Sequence, residues 1–230
     1  MLEVDSPELW WPSGYGKQPL YTLEVRTEND RWTGTVGFRT LELVTEPDEH
    51  GRSMVFRING RDIFAKGANW IPADAMPGRI TAEGVEALLH DAARAHMNMI
   101  RVWGGGQYES GHFYETCDRL GILVWQDFMF SCSLYPAYGE FLESVRAEVR
   151  SQVGRLQHHP SIALWCGNNE NVGALTWFEE SRRDRDRYLI DYDRLNEGAV
   201  GRTVRMLDPS RPWWPSRCRR RPYPAWAGLP

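Results

Sequence analysis

Apolar and polar positions along this chain change period near residue 47. Before it, Leu20-Tyr21-Thr22-Leu23-Glu24-Val25 alternates with period two, and Thr35-Val36-Gly37-Phe38-Arg39-Thr40-Leu41 is a second β-rich stretch, with polar segments between. That pattern predicts short antiparallel strands, too few to close a sandwich by themselves. Glu46-Pro47-Asp48-Glu49-His50-Gly51 is a charged, turn-rich connector. Beyond it strands and helices alternate. Met54 to Gly60 and Ile63 to Ala68 read as strands, with a tight turn at Asn59-Gly60. Thr81 is placed to cap a helix whose apolar face is Val85, Leu88, Leu89 and Ala92. Met97 to Trp103 reads as a strand, Phe113 to Leu120 as a short helix ended by Gly121, and Ile122-Leu123-Val124-Trp125 as a strand covered on both faces. Phe141, Val145, Val149 and Val153 recur every four residues in the clearest helix, followed by the buried strand Ser161 to Cys166. A last helix runs from Tyr188 through Val200 and Val204 towards Asp208-Pro209, and Trp213-Trp214 opens a further strand.

Repeated β-then-α units with apolar strands imply a parallel sheet, either open and doubly wound or the beginning of a (β/α)8 barrel. About five such strands are present, and periodicity alone does not separate the two. At 230 residues with 42% hydrophobic composition, the chain is long enough for a real core. The net charge of −4 disfavours a nucleic-acid binder. There is no run of about 18 apolar residues to span a bilayer. No basic-then-apolar leader opens the chain, which predicts a cytoplasmic location. Cys117, Cys132, Cys166 and Cys218 form no C-x-x-C pair and are expected to be buried free thiols.

The chemistry-bearing segment is Gly167-Asn168-Asn169-Glu170, directly after an apolar strand. In parallel α/β folds the active face lies just past the C-terminal ends of the strands. An amide beside a carboxyl there suits holding a sugar hydroxyl and protonating a glycosidic oxygen; it equally suits an Asn-rich turn with Glu170 capping a helix or lying in solvent. Other signals are weaker. Gly104-Gly105-Gly106 lacks dinucleotide spacing, His158-His159 has no partners at zinc spacing, and Arg182-Arg183-Asp184-Arg185-Asp186-Arg187 reads as a solvated helix start.

Trp165-Cys166-Gly167-Asn168-Asn169-Glu170 resembles the acid/base motif of glycoside hydrolase family 2, in its β-mannosidase branch. Three more segments match that family in order: Lys66-Gly67-Ala68-Asn69-Trp70-Ile71-Pro72, Asn98-Met99-Ile100-Arg101-Val102-Trp103-Gly104-Gly105-Gly106, and Leu123-Val124-Trp125-Gln126-Asp127-Phe128-Met129-Phe130. Leu9-Trp10-Trp11-Pro12, with Gly14, Gly16 and Gln18-Pro19-Leu20-Tyr21, is similar to the entry into the family's immunoglobulin-like sandwich. The resemblance implies a fold in which residues 1–47 end such a sandwich and 48–216 begin a TIM barrel, covering about strands one to five. It implies Glu170 as general acid/base and Asn169 as partner of the sugar 2-hydroxyl. Trp103 would shape the terminal sugar subsite, with Asp127, Asn69 and Arg101 on the same rim, Arg101 as electrostatic support for a carboxylate. Trp177 is a candidate second aromatic wall, while Trp125 and Trp165 read as core.

The expected reaction is retaining hydrolysis of terminal β-mannosides, with no cofactor and no metal. Retention needs a second carboxylate about 5–5.5 Å from the first. The family draws that nucleophile from a later strand, and Glu179, Glu180 and Glu197 match no nucleophile motif. The chain alone is therefore expected to be inactive, and its open sheet edges to favour dimers or aggregates. The segment 217–230 is basic, proline-rich and unmatched, as an out-of-frame tail would be. Competing readings are a β-galactosidase or β-glucuronidase of the same family and a non-catalytic carbohydrate-binding fragment.

Overall fold

The computed structural model describes residues 4–216, so the tail from Arg217 onward, including Cys218, lies outside the described residues. The N-terminal part forms a hairpin of β1 (Tyr21–Arg26) and β2 (Arg31–Val36). Then come β3 (Leu41–Val44), the two-residue strands β4 (Pro47–Asp48) and β5 (Gly51–Arg52), β6 (Val55–Ile58) and β7 (Arg61–Ile63). The charged connector is the small β4–β5 ladder, and β3, β6 and β7 form one antiparallel sheet. Asn59 and Gly60 join β6 to β7 with φ of 50° and 77°. Two successive left-handed residues are what a two-residue hairpin turn requires.

Two stretches expected as single strands are divided, and tertiary contacts divide them. Between Val36 and Leu41, Phe38 bridges Leu9 while Arg39 turns to donate to the carbonyls of Pro160 (2.9 Å) and Ile162 (2.6 Å). Between Ile63 and Gly67, the Asn98 side chain serves the backbone in place of a ladder. Its Oδ1 accepts from the Lys66 amide (2.8 Å) and its Nδ2 donates to the Phe64 carbonyl (3.1 Å).

The second part is a five-stranded parallel sheet. In chain order it comprises β8 (Gly67–Trp70), α1 (Ala82–Arg94), β9 (Met99–Val102), α2 (Gly111–Leu120), β10 (Leu123–Asp127), α3 (Gly139–Leu156) and β11 (Ile162–Cys166). Helices α4 (Asn171–Ala174), α5 (Glu179–Arg183), α6 (Arg185–Asp193) and α7 (Arg202–Leu207) then lead to β12 (Trp213–Trp214). Thr81 caps α1 by accepting from the Gly84 amide, and Gly121 ends α2 in a left-handed conformation. Residues Arg194–Gly201, between α6 and α7, wind as a wider π-helix. The strands lie in sequence order with no reversal. A doubly wound sheet would place a switch point where that order turns back.

The sheet has two unlike faces. Outward, Ile100, Val102, Val124, Ile162 and Trp165 pack with helix residues such as Leu89, Phe113, Val149 and Val153. Inward, Met99, Leu123, Ala163 and Leu164 pack with Trp10, Phe56, Ile58 and Ile63. The antiparallel β3–β6–β7 sheet and the N-terminal segment thus plug the inner face at the strands' N-terminal ends. One irregularity sets what reaches the other end. Val124 pairs with Ile162 but Trp125 pairs with Leu164, so Ala163 is an extra residue. This bulge turns Trp165 outward, where its Nε1 donates to Asp208 (2.9 Å), and places Cys166 beside Asp127.

The plug is anchored by hydrogen bonds as well as packing. Trp10 is fully buried and donates from Nε1 to the Asp118 carbonyl (2.8 Å). The Asp118 carboxylate takes His159 Nδ1 (2.6 Å) and the Ser161 amide (3.0 Å). Burial, helped by the neighbouring Arg211, lowers the Arg39 guanidinium to about 9, which leaves it charged at neutral pH. Replacing Trp10 by Ala should cost about 3–5 kcal/mol, the range for deleting a large buried aromatic, read from urea unfolding. An unchanged midpoint would show that the N-terminal segment is not part of the cooperative unit.

Asp208 gives the fold an acid-sensitive tie. Its carboxylate accepts from Trp165, Ser210 and Arg211 Nη1 (2.7 Å). Burial pushes its pKa up, but Arg211 and the hydrogen bonds outweigh that and hold it below the usual value of 3.8. A carboxyl depressed on folding stabilises above its unfolded pKa, about 3.9, and loses that stabilisation as pH falls through the folded value. Asp208→Asn should therefore lower stability at pH 7 and flatten the loss of stability below about pH 4. Parallel stability–pH curves for the two proteins would contradict this.

Candidate functional site

With the inner face plugged by apolar residues at one end, its polar residues gather at the C-terminal end. Asn69, Arg101 and Trp125 are register partners on β8, β9 and β10 and so share that face. Arg101, only 6% exposed, is the hub. Its guanidinium grips the Asp127 carboxylate through Nε (3.2 Å) and Nη2 (2.5 Å), donates from Nη1 to Asn69 Oδ1 (3.2 Å), and from Nη2 to Asn169 Oδ1 (2.9 Å). The guanidinium carbon also sits 5.8 Å from the Trp125 ring centre.

Asp127 is fully buried and further satisfied by the Gly104 amide (3.0 Å) and Trp125 Nε1 (2.9 Å). Burial raises its pKa above the usual carboxylate value even against Arg101 and these donors. Geometry assigns the charges: Arg101 has only donors to offer, so a bidentate carboxylate faces it ionised. Gly104 is needed for this approach, since a Cβ there would lie 2.7 Å from the carbonyl oxygens of Phe128 and Phe130.

Beyond Cys166 the chain makes a sharp turn in which the two asparagines separate in role. Asn168 is fully buried and holds the turn. Its Nδ2 donates to Asn196 Oδ1 (2.7 Å) and the Pro215 carbonyl (3.1 Å), and its Oδ1 accepts from the Asn171 amide (3.1 Å) and Ser216 (2.5 Å). Asn169 points to the Arg101 network instead. Glu170 follows in a left-handed conformation, φ 63°, half-buried, at the position that caps α4 but without a side-chain cap bond. A positive φ at a non-glycine residue is uncommon and concentrates at functional sites.

Of the residues singled out from sequence, Asn69, Arg101, Asp127 and Asn169 form one hydrogen-bonded cluster, and Glu170 is its next residue along the chain. Trp103 is half-buried just past β9, its ring lying over Gly105. Trp177 is 46% exposed with its ring against Gly173 of α4, so it stands apart from the Arg101 cluster. Trp165 is core, as its place in an apolar strand suggests. Trp125 is not: it lies on the inner face against Arg101 and donates to Asp127. Cys132 corrects the expectation of buried thiols. Cys117 and Cys166 are buried, but Cys132 is exposed, with its sulfur 3.2 Å from Asn169 Nδ2 and 3.9 Å from Glu170 Oε2. Period-two alternation with Asp127 is the signal that would have put Trp125 on the same face; nothing in local pattern marks Cys132. Among the described residues no three His, Cys, Asp or Glu side chains gather as a metal site, and no helix is long and apolar enough to cross a membrane.

Comparison with known proteins places this geometry in a family. Residues 1–39 match the model of glycosyl hydrolases family 2. The chain is 46% identical over 215 residues to the β-mannosidase of Bos taurus, covering 90% of this chain and 24% of that protein. It is 48% identical over 175 residues to β-mannosidase B of Emericella nidulans, covering 74% of this chain and 21% of that protein. The crystal structure of a β-D-mannosidase from Dictyoglomus thermophilum superposes with a TM-score of 0.83 at 42% identity, over 94% of this chain and 27% of that one. A β-glucuronidase from Bacteroides uniformis, TM-score 0.69 at 24% identity, shares the fold alone. The chain thus spans about a quarter of the length of these relatives. It belongs to the glycosyl hydrolases of family 2, in the part of that family where its similar relatives are β-mannosidases.

Proposed function

We propose that this chain is the acid/base-bearing part of a retaining hydrolase of terminal β-D-mannosides, with Glu170 as the general acid/base. The observation that carries the reading is the inner-face cluster of Asn69, Arg101, Asp127 and Asn169 at the C-terminal rim, with Glu170 as the residue after Asn169. The sequential parallel strands fit the first five of a (β/α)8 barrel, whose chemistry sits at that rim. The hairpin β1–β2 fits the end of an immunoglobulin-like domain.

In this reading Glu170 donates its proton to the leaving glycosidic oxygen and later takes one from the attacking water. Asn169, oriented by Arg101, offers its amide to the sugar's 2-hydroxyl, and Trp103 walls the terminal sugar. Asp127 does not serve as the second carboxylate, because Arg101, Gly104 and Trp125 already occupy it. The nucleophile comes from polypeptide outside this chain. A retaining mechanism needs both carboxylates, so the chain alone should not turn over.

The 230-residue chain should leave p-nitrophenyl β-mannoside uncleaved, and measurable turnover by it would refute the missing-partner reading. In a version extended through the remaining barrel strands, Glu170→Gln should lower kcat by about 10²–10⁴ for mannosides with poor leaving groups. The loss should be much smaller for activated aryl mannosides, whose departure needs little proton donation. Equal losses for both substrate types would remove Glu170 from the acid role. Asp127→Asn should behave differently, leaving the Arg101 charge buried without its counter-ion and costing about 3–5 kcal/mol of stability. Urea unfolding of the two variants separates the supporting carboxyl from the chemical one.

A further inference from the structure

We propose that the loop formed by Ser131 and Cys132 is a positioning clamp for Asn169 and Glu170, with the Cys132 thiol at its centre. The proposal deepens the reading of Glu170 as acid/base and rests on it for its functional meaning. Three layers of geometry support it.

The first is backbone. Just past the ends of β10 and β11, Ser131 and Asn169 form an isolated parallel bridge. The Asn169 amide donates to the Phe130 carbonyl (2.9 Å) and the Cys132 amide to the Asn169 carbonyl (2.8 Å). The second is conformation. Cys132 and Glu170 are the residues immediately after the bridged pair, and both are left-handed, with φ of 51° and 63°. Such conformations persist where surrounding contacts over-determine them, and here each lies beside the other.

The third layer is side chains. The Arg101 guanidinium offers only donors, so the Asn169 amide must turn its oxygen towards Arg101 and its nitrogen away. That nitrogen faces Ser131 Oγ (3.3 Å) and Cys132 Sγ (3.2 Å). The Ser131 hydroxyl approaches the same sulfur at 3.4 Å, and the thiol in turn points to Glu170 Oε2 at 3.9 Å. One thiol therefore accepts from the amide and donates to the carboxyl. Sulfur is a weak partner in both directions. It orients the two groups without competing strongly against a sugar hydroxyl for the amide, or fixing the carboxyl in one protonation state.

The test is NMR on the isotopically labelled 230-residue chain, with the Asn169 side-chain amide assigned by its loss in Asn169→Asp. Cys132→Ala should speed hydrogen exchange of that amide about twofold, the loss of one weak hydrogen bond, and should shift the Glu170 carboxyl carbon. Cys132→Ser, which keeps a donor and an acceptor, should restore both signals. Alkylating the exposed native Cys132 with iodoacetamide should reproduce the alanine effect, and supplies the same readout if the alanine variant does not fold. An Asn169 amide and a Glu170 carboxyl indifferent to both treatments would overturn the clamp. Neither signal depends on catalysis, so a failure of the acid/base assignment in the kinetics of Glu170→Gln is separately visible.

Discussion

The ion pair between Arg101 and Asp127 is the constraint on which the rest of the rim depends. A charge pair this buried is not an economical source of stability, since desolvation consumes most of the Coulomb gain. What it supplies is definition. A guanidinium has a fixed planar fork, and once two of its directions are taken by Asp127 the remaining donors have determined targets. Those targets are the side-chain oxygens of Asn69, on the neighbouring strand β8, and of Asn169, just past the end of β11. The orientation of Asn169 is thereby decided by a residue two strands away in the sheet.

The pair is tolerable because the fold separates apolar from polar along the inner face. At the N-terminal ends of the strands, Met99, Leu123 and Leu164 are closed off by Trp10, Phe56, Ile58 and Ile63. Arg101 and Asp127 lie two and four residues further along their strands, on the same face by the period of two. Every polar atom of the pair is matched there: Gly104 and Trp125 complete the carboxylate, and the asparagines complete the guanidinium. The plug and the polar rim are thus two ends of one design, and the N-terminal segment contributes to the site without touching it.

Most of the elements were legible because burial dictates period. The four-residue spacing from Phe141 to Val153, the cap at Thr81 and the unbroken apolar runs of β10 and β11 all follow from local packing demands. The expected strands that broke did so for reasons outside their own windows. Arg39 leaves its strand to reach Pro160, far along the chain, and Asn98 replaces the ladder at Phe64 to Lys66. In the site, the resemblance implies Arg101 as support for a carboxylate, and its guanidinium is paired with the Asp127 carboxylate. The roles of Asn168 and Cys132 were not legible, because each is defined by partners distant in sequence, and Trp125 faces inward to a partner, Arg101, on the neighbouring strand. A single extra residue, Ala163, illustrates the limit: no propensity marks it, yet it decides which of Leu164 and Trp165 faces inward.

That bulge also explains why two adjacent asparagines do different work. Shifting the register by one places Cys166 beside Asp127, so the chain leaves the sheet with Asn168 turned to the helical side and Asn169 to the inner rim. Asn168 then ties the turn to Asn196, Pro215 and Ser216, which fixes the backbone against the following helix and β12. With Asn168 held from behind and Asn169 held from the front, the backbone at Glu170 is confined, and it is left-handed. The role proposed for Glu170, donating and recovering a proton at one atom, needs a fixed backbone and a loosely held side chain. The two asparagines supply the first, and the absence of a cap bond on Glu170 leaves room for the second.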